Sequence, residues 1–280
     1  NSYVISRRLA EEGVTVGLSG LGADELFGGY QQFSRAPQLS GLLRTLAFIP
    51  RSIRSGVIQS VGLCVDNRAA VEKLADAVAG DSSVAGVTRA ARRLLSDKTL
   101  DTLGLRARRL GLAADFLETG DDREDPTLDG DAFNTVSRIE MAHYMRDTLL
   151  RDTDANSMRH SLEVRVPFLD LPLVEYVSSL PGRVKDHGRG HGKHLLRHAC
   201  QTVLSDEVAN REKTGFTLPI GAWMQNEMRD SCEAAIDRLA TMPFLDGTAV
   251  RRLWNGFMAN PGSSYWSRPL SLVVLGSQPW

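Results

Sequence analysis

A chain of 280 residues, 42% hydrophobic and 24% charged, is long enough for one large core, or for a core with an attached helical lobe. Its net charge of -1 gives no long-range electrostatic attraction to nucleic acid or an anionic membrane, which need a concentrated basic surface, and no apolar run is long enough to span a bilayer. The odd set Cys64, Cys200 and Cys232, widely separated and without CxxC spacing, excludes a disulfide framework and a zinc knuckle; a soluble protein of the reducing cytoplasm is expected.

In chain order, residues 2–10 carry apolar side chains at helical intervals and stop at Gly13, a residue suited to a left-handed C-cap. The chain opens at Asn1 without a Met and already reads as helix, so its N-terminus is expected to be a cut, with no secretory leader. Residues 14–18, Val-Thr-Val-Gly-Leu, predict a short buried strand, and a helix running into such a strand predicts an α/β domain with a parallel sheet. A glycine-rich bend, Ser19-Gly20-Leu21-Gly22-Ala23-Asp24, leads into a short helix ending near Gly28-Gly29-Tyr30. Residues 39–120 are amphipathic and helical, punctuated by Pro50 and Gly56, and read as a mostly helical insertion without chemistry. Residues 120–131 read as an exposed acidic loop. Helices are predicted over 137–150, 171–180 and 193–204, with Pro167 breaking the segment 161–170.

In open α/β sheets ligands collect at the carboxyl ends of strands, where glycines admit a close backbone approach. Ser19, Gly20 and Gly22 occupy that position. Ser19 could donate to a nucleotide hydroxyl or phosphate, and Asp24 could hold Mg²⁺, which takes one or two carboxylates together with phosphate oxygens. The same residues would equally serve as a tight turn and helix cap. Arg151, Asp152, Asp154, Arg159, Glu163 and Arg165 alternate in sign beside an apolar segment, as a structural ion-pair network or as a wall facing an amino-acid substrate. Lys213, in Arg-Glu-Lys-Thr-Gly-Phe, could place an ammonium over a phosphate or sit on the surface before a turn. His187, His191, His194 and His198 fall at helical spacing, but Gly188, Gly190 and Gly192 make the first half a loop, and no metal site is expected there.

Three stretches together resemble the synthetase domain of glutamine-hydrolysing asparagine synthetases. They are Leu18-Ser19-Gly20-x-Gly22-Ala23-Asp24-Glu25-Leu26-Phe27-Gly28-Gly29-Tyr30, then Asp154-x-x-Ser157-Met158-x-x-Ser161-Leu162-Glu163-Val164-Arg165-Val166-Pro167-Phe168-Leu169-Asp170, then Lys193-x-Leu195-Leu196-Arg197 with Arg211-x-Lys213-x-Gly215-Phe216. The resemblance implies a three-layer parallel sheet flanked by helices, similar to the adenine nucleotide alpha hydrolases and truncated at its N-terminus. Residues 1–280 would be the C-terminal part of that domain, with the insertion at about 39–120.

It also implies a ligase of asparagine and amino-acid biosynthesis. ATP would adenylate the aspartate side-chain carboxylate with release of pyrophosphate, and ammonia derived from glutamine would then displace AMP. Ser19, Gly20 and Gly22 would bind the nucleotide, Asp24 the Mg²⁺ and Lys213, the catalytic cation, the pyrophosphate. The partners implied are these small molecules and an N-terminal glutaminase domain in a longer protein, with a homodimer open to it. Two features depart from the family. The Ser-Gly-Gly-x-Asp-Ser pyrophosphate loop and the glutaminase domain with its N-terminal cysteine are absent, so this stretch alone is expected to be inactive. Leu21 stands where aspartate-amidating members carry Glu. A ligase that adenylates another carboxylate, β-lactam-forming or peptide-tailoring, and a non-catalytic remnant therefore remain as alternatives.

Overall fold

The computed structural model describes residues 1–45, 75, 76, 78, 81–105, 130–186, 192–209, 211, 218–260 and 266–279. Helix α1 (Ser2–Glu11) ends through Gly13, whose φ of 79° is a left-handed conformation open to glycine without steric cost. The chain then extends into β1 (Val16–Leu18), which pairs in parallel with β2 (Glu163–Arg165); Val16 lies opposite Glu163 and Leu18 opposite Arg165. The ladder continues at both ends, where Glu163 N–H donates to the Thr15 carbonyl at 2.9 Å and Ser19 N–H to the Arg165 carbonyl at 2.8 Å.

Among the described residues the architecture is mainly helical α/β around this two-stranded parallel sheet. The strand at 14–18 is shorter than the sequence suggests, and it is not buried: Val16 is 40% and Leu18 77% exposed. β-branched composition favours an extended backbone, but it does not report whether both faces of the resulting sheet are covered. Val16 and Leu18 share a face with their partners Glu163 and Arg165, which are exposed and form an ion pair at 2.8 Å.

Residues 132–158 are continuously helical: an α-helix at Ala132–Ile139, a π-helical stretch at Glu140–Leu150 and an α-helix at Arg151–Met158. The helix is longer than the 137–150 read from the sequence. It begins where Asp131 caps it, Oδ1 accepting from Asn134 N–H at 3.1 Å. The second oxygen of the same carboxylate accepts from Gly182 N–H at 2.6 Å and anchors the short Gly182–Lys185 helix. The 171–180 prediction matches the Leu171–Ser179 helix, whereas the 193–204 prediction contracts to His194–Ala199.

The chain divides into two compact units, one comprising residues 1–58, 77–92 and 124–216, the other 59–76, 93–123 and 217–280. In the first, Leu26 and Phe27 pack with Val177 and half-buried Phe168, Leu173 and Leu195, while Val136, Ile139 and Met145 are buried along the helix 132–158 and Leu162 beyond its end. The second is a helical bundle of Asp97–Leu103, Ile220–Gln225, Arg229–Ala240, Gly247–Ala259 and Ser267–Gly276 around Cys232, Ile236, Leu239, Val250, Trp254 and Leu272. Gly247 and Gly276 allow close approaches in it, since a Cβ at either would lie 2.1 Å from a carbonyl oxygen, that of Ala240 or Ala235 respectively.

Of the predicted insertion at 39–120, residues 39–45 form the end of helix Gln32–Thr45; the Val84–Arg92 helix lies in the first unit and Asp97–Leu103 in the second. Most of 46–80 and all of 106–129 lie outside the described residues. No helix among the described residues is long and apolar enough to cross a membrane.

Candidate functional site

The carboxyl end of β1 runs directly into the glycine-rich bend. Leu21 N–H approaches the Ser19 side chain, donating to Oγ at 3.4 Å, and Ala23 N–H donates to the Gly20 carbonyl at 3.3 Å. Gly22 has φ 95°, and a Cβ on it would fall 2.6 Å from Leu169 Cδ2, so conformation and space both require glycine there. Around Gly20, by contrast, a Cβ would meet nothing within 4 Å: the backbone at this point is open to an incoming group. The helix Ala23–Phe27 follows and ends through Gly28, again left-handed at φ 79°.

This turn brings Asp24 to a second segment of the chain. Lys193, in the left-handed conformation at φ 52°, donates its backbone N–H to the Phe27 carbonyl at 2.9 Å and places Nζ 2.9 Å from Asp24 Oδ1. The Asp24 carboxylate also folds back over Gly29, whose hypothetical Cβ would lie only 1.6 Å from Oδ1. Asp24 and Lys193 side chains are 26% and 34% exposed, open enough to exchange partners with a ligand. Next to Asp24 in sequence, Glu25 turns inward and is 1% exposed. Burial raises its carboxyl above the ordinary range, against the lowering effect of the Tyr30 hydroxyl, which donates to Oε1 at 2.5 Å.

Ser19, Gly20, Gly22 and Asp24 are thus gathered in one turn at the end of β1. Lys213 lies outside the described residues, as do His187 and His191; His194 and His198 stack at 6.4 Å. Arg151, Asp152, Asp154, Arg159, Glu163 and Arg165 are all exposed, and within the series Glu163 and Arg165 form an ion pair at 2.8 Å. The helix through 151–158 turns Arg151, Asp152 and Asp154 to solvent while Ser157 takes a buried position, and strand alternation in β2 puts Glu163 and Arg165 on its exposed face.

As a cation site, the turn offers one carboxylate, and no group of three or more His, Cys, Asp or Glu side chains suited to a metal occurs among the described residues. That donor set fits an ion whose remaining ligands are phosphate oxygens, not an ion held by protein alone. Lys193 falls within the third matching stretch, where the sequence assigns it no role; the close approach of Gly192, whose Cβ would lie 2.8 Å from the Gly28 carbonyl oxygen, brings it to Asp24. Nothing in local sequence marked Arg92, Glu140 or Tyr144; Arg92 and Tyr144 meet Tyr30, and Glu140 accepts from Arg92.

Comparison with known proteins gives a consistent result. The family model described as asparagine synthase matches residues 1–280. The glutamine-hydrolysing asparagine synthetase 1 of Bacillus subtilis (strain 168) is 29% identical over 98% of this chain and 41% of its own length. Asparagine synthetase 3 of the same strain is 37% identical over 33% of this chain and 16% of its own length. The amidase chry2 of Gibberella zeae is 27% identical over 44% of this chain and 20% of its own length. The chain spans about two fifths of the first of these relatives. No solved structure matches.

Proposed function

Because the chain belongs to the asparagine synthase family, we propose that it is the C-terminal part of the synthetase domain of an ATP-dependent, amide-forming ligase. In the longer protein the side-chain carboxylate of aspartate is adenylated with release of pyrophosphate, and ammonia supplied by a glutaminase domain gives asparagine. The observation that carries this reading is the turn after β1, where an open backbone at Gly20 adjoins an acidic and a basic side chain, Asp24 and Lys193, within one ion pair. We place this turn in a three-layer parallel sheet flanked by helices.

In this reading Ser19 Oγ and the backbone from Ser19 to Gly22 hold the nucleotide. Asp24 holds Mg²⁺ bound to its phosphates; the ion, when bound, neutralises charge on the departing pyrophosphate. For Asp24 to do so, Lys193 must release it, and the freed ammonium is then available to phosphate oxygens within reach of the same turn. Lys213 is proposed to stabilise charge building on the leaving group. Catalysis by these residues is positioning and charge neutralisation, with no covalent enzyme intermediate required.

A second reading keeps the chemistry and changes the carboxylate. Leu21, half-buried in the same turn, cannot exchange a proton or pair with an ammonium group, which favours a substrate other than aspartate. The test is exchange of labelled pyrophosphate into ATP by the full-length protein with Mg²⁺ and a panel of carboxylates. Aspartate-dependent exchange supports the first reading, exchange with another carboxylate alone supports the second, and no exchange by folded protein overturns both. Asp24→Asn and Lys213→Ala are each expected to lower exchange at least about 100-fold with the fold intact, the scale of losing one preorganised electrostatic group.

A further inference from the structure

The Val84–Arg92 helix belongs to a stretch in which the sequence shows no chemistry, yet its last residue reaches beneath the Asp24 turn. Arg92 Nε donates to both carboxylate oxygens of Glu140, at 2.9 and 2.8 Å, and Glu140 is fully buried at the start of the π-helical stretch. The same guanidinium lies over two aromatic rings, its Cζ 4.6 Å from the Tyr30 centroid and 3.8 Å from that of Tyr144. The two rings meet edge to face at 6.1 Å. Tyr30 in turn donates its hydroxyl to buried Glu25, and Ser137 Oγ donates to the Glu25 carbonyl at 2.8 Å. Direct contacts therefore run from Glu140 through Arg92 and Tyr30 to Glu25, one residue from Asp24.

A planar guanidinium can fork onto a carboxylate and stack on rings at once, which a lysine ammonium cannot. A buried ion pair of this kind is weak as a source of net stability, and its best-attested use is to fix geometry. Here the geometry it fixes is that of Tyr30, which closes the bend Gly28–Gly29 over which the Asp24 carboxylate folds.

We propose that Arg92, through Glu140 and Tyr30, is a positioning residue for Asp24 and thereby sets the affinity of the turn for a divalent cation carried on a nucleoside triphosphate. The proposal rests on the reading of Asp24 given under the proposed function. The experiment is calorimetric titration of the full-length protein with ATP, once with Mg²⁺ and once with a chelator, alongside thermal denaturation. The variants are Tyr30→Phe, Arg92→Lys, their double mutant, Arg92→Met/Glu140→Leu and Asp24→Asn.

Tyr30→Phe and Arg92→Lys are each expected to weaken MgATP binding about 10-fold, as loss of a partner that orients a metal-binding group does. Binding of metal-free ATP should be unchanged, and the double mutant no weaker than either single variant. Arg92→Met/Glu140→Leu, which leaves no buried charge unpaired, should fold and show the same selective loss. Wild-type MgATP affinity in the folded variants, or an equal loss with and without Mg²⁺, overturns the proposal and leaves the network a purely structural one. Full MgATP affinity in Asp24→Asn instead removes Asp24 from the site, and the proposal with it.

Discussion

Two glycines in the candidate turn answer to different physical demands, and substitution separates them. At Gly22 the backbone sits at φ 95° and a Cβ would press on the Leu169 side chain at 2.6 Å. Gly22→Ala is expected to destabilise the protein by about 2–3 kcal/mol, combining a left-handed alanine with local overpacking, and a lowered denaturation midpoint would register it. At Gly29 the atoms in the way are all of the Asp24 side chain, Oδ1 at 1.6 Å, Cγ at 2.5 Å and Cβ at 2.9 Å. Gly29→Ala should therefore displace the carboxylate and weaken MgATP binding, with a smaller fall in the denaturation midpoint than Gly22→Ala because the backbone at Gly29 is not left-handed. Equal behaviour of the two variants would contradict this division. The sequence motif marks both positions alike as Gly; backbone conformation and neighbours distinguish them.

Among the described elements, the Gly182–Lys185 helix is anchored in part by a buried lysine. Lys185 is 1% exposed, donates to Asn134 Oδ1 at 2.5 Å and lies 5.3 Å from the Phe133 ring centroid. Burial lowers its pKa to about 8, partly offset by Asp131 and reinforced by Arg138. Between about pH 8 and the ordinary value of 10.5 the unfolded chain binds more protons at this residue than the folded one. Its contribution to stability therefore rises with pH across that window, and below it the cost of burying the ammonium is present in full. The difference in denaturation midpoint between wild type and Lys185→Met should accordingly shift in favour of wild type from pH 8 to pH 10; a flat difference would contradict the depressed value. The sequence offered no hint of this, since a lysine before an acidic residue ordinarily reads as surface. The short strand is a similar case: its extended backbone was legible in Val14-Thr15-Val16, and its exposure was not.

At the scale of the molecule, each unit has its own apolar centre, and the second is built of helices without any of the motif residues. Leu239 is fully buried there among Cys232, Trp254 and Leu272. Leu239→Ala is expected to cost about 2–5 kcal/mol. Hydrogen exchange would show the loss in residues 229–276 before it appears in 132–158, because the cores are separate clusters; uniform loss of protection would indicate one cooperative core instead. The proposed insertion at 39–120 contributes to both units, so its boundary as read from amphipathic pattern does not coincide with a boundary of compactness. Periodicity reports that a helix has a buried face, not which core receives it.

The sequence by itself determined the family, the order of the helices and strand around the glycine-rich bend, and the glycines at 13, 22 and 28 that turn the chain, because these depend on local spacing and backbone freedom. Tertiary structure alone decided that the charged series from Arg151 to Arg165 faces solvent, that Lys193 stands against Asp24, and that Arg92 reaches Tyr30. Those facts depend on which segments distant in the chain pack together. Pairing of a buried charge, and exposure of a strand, are properties of the neighbours that packing supplies and no local pattern encodes.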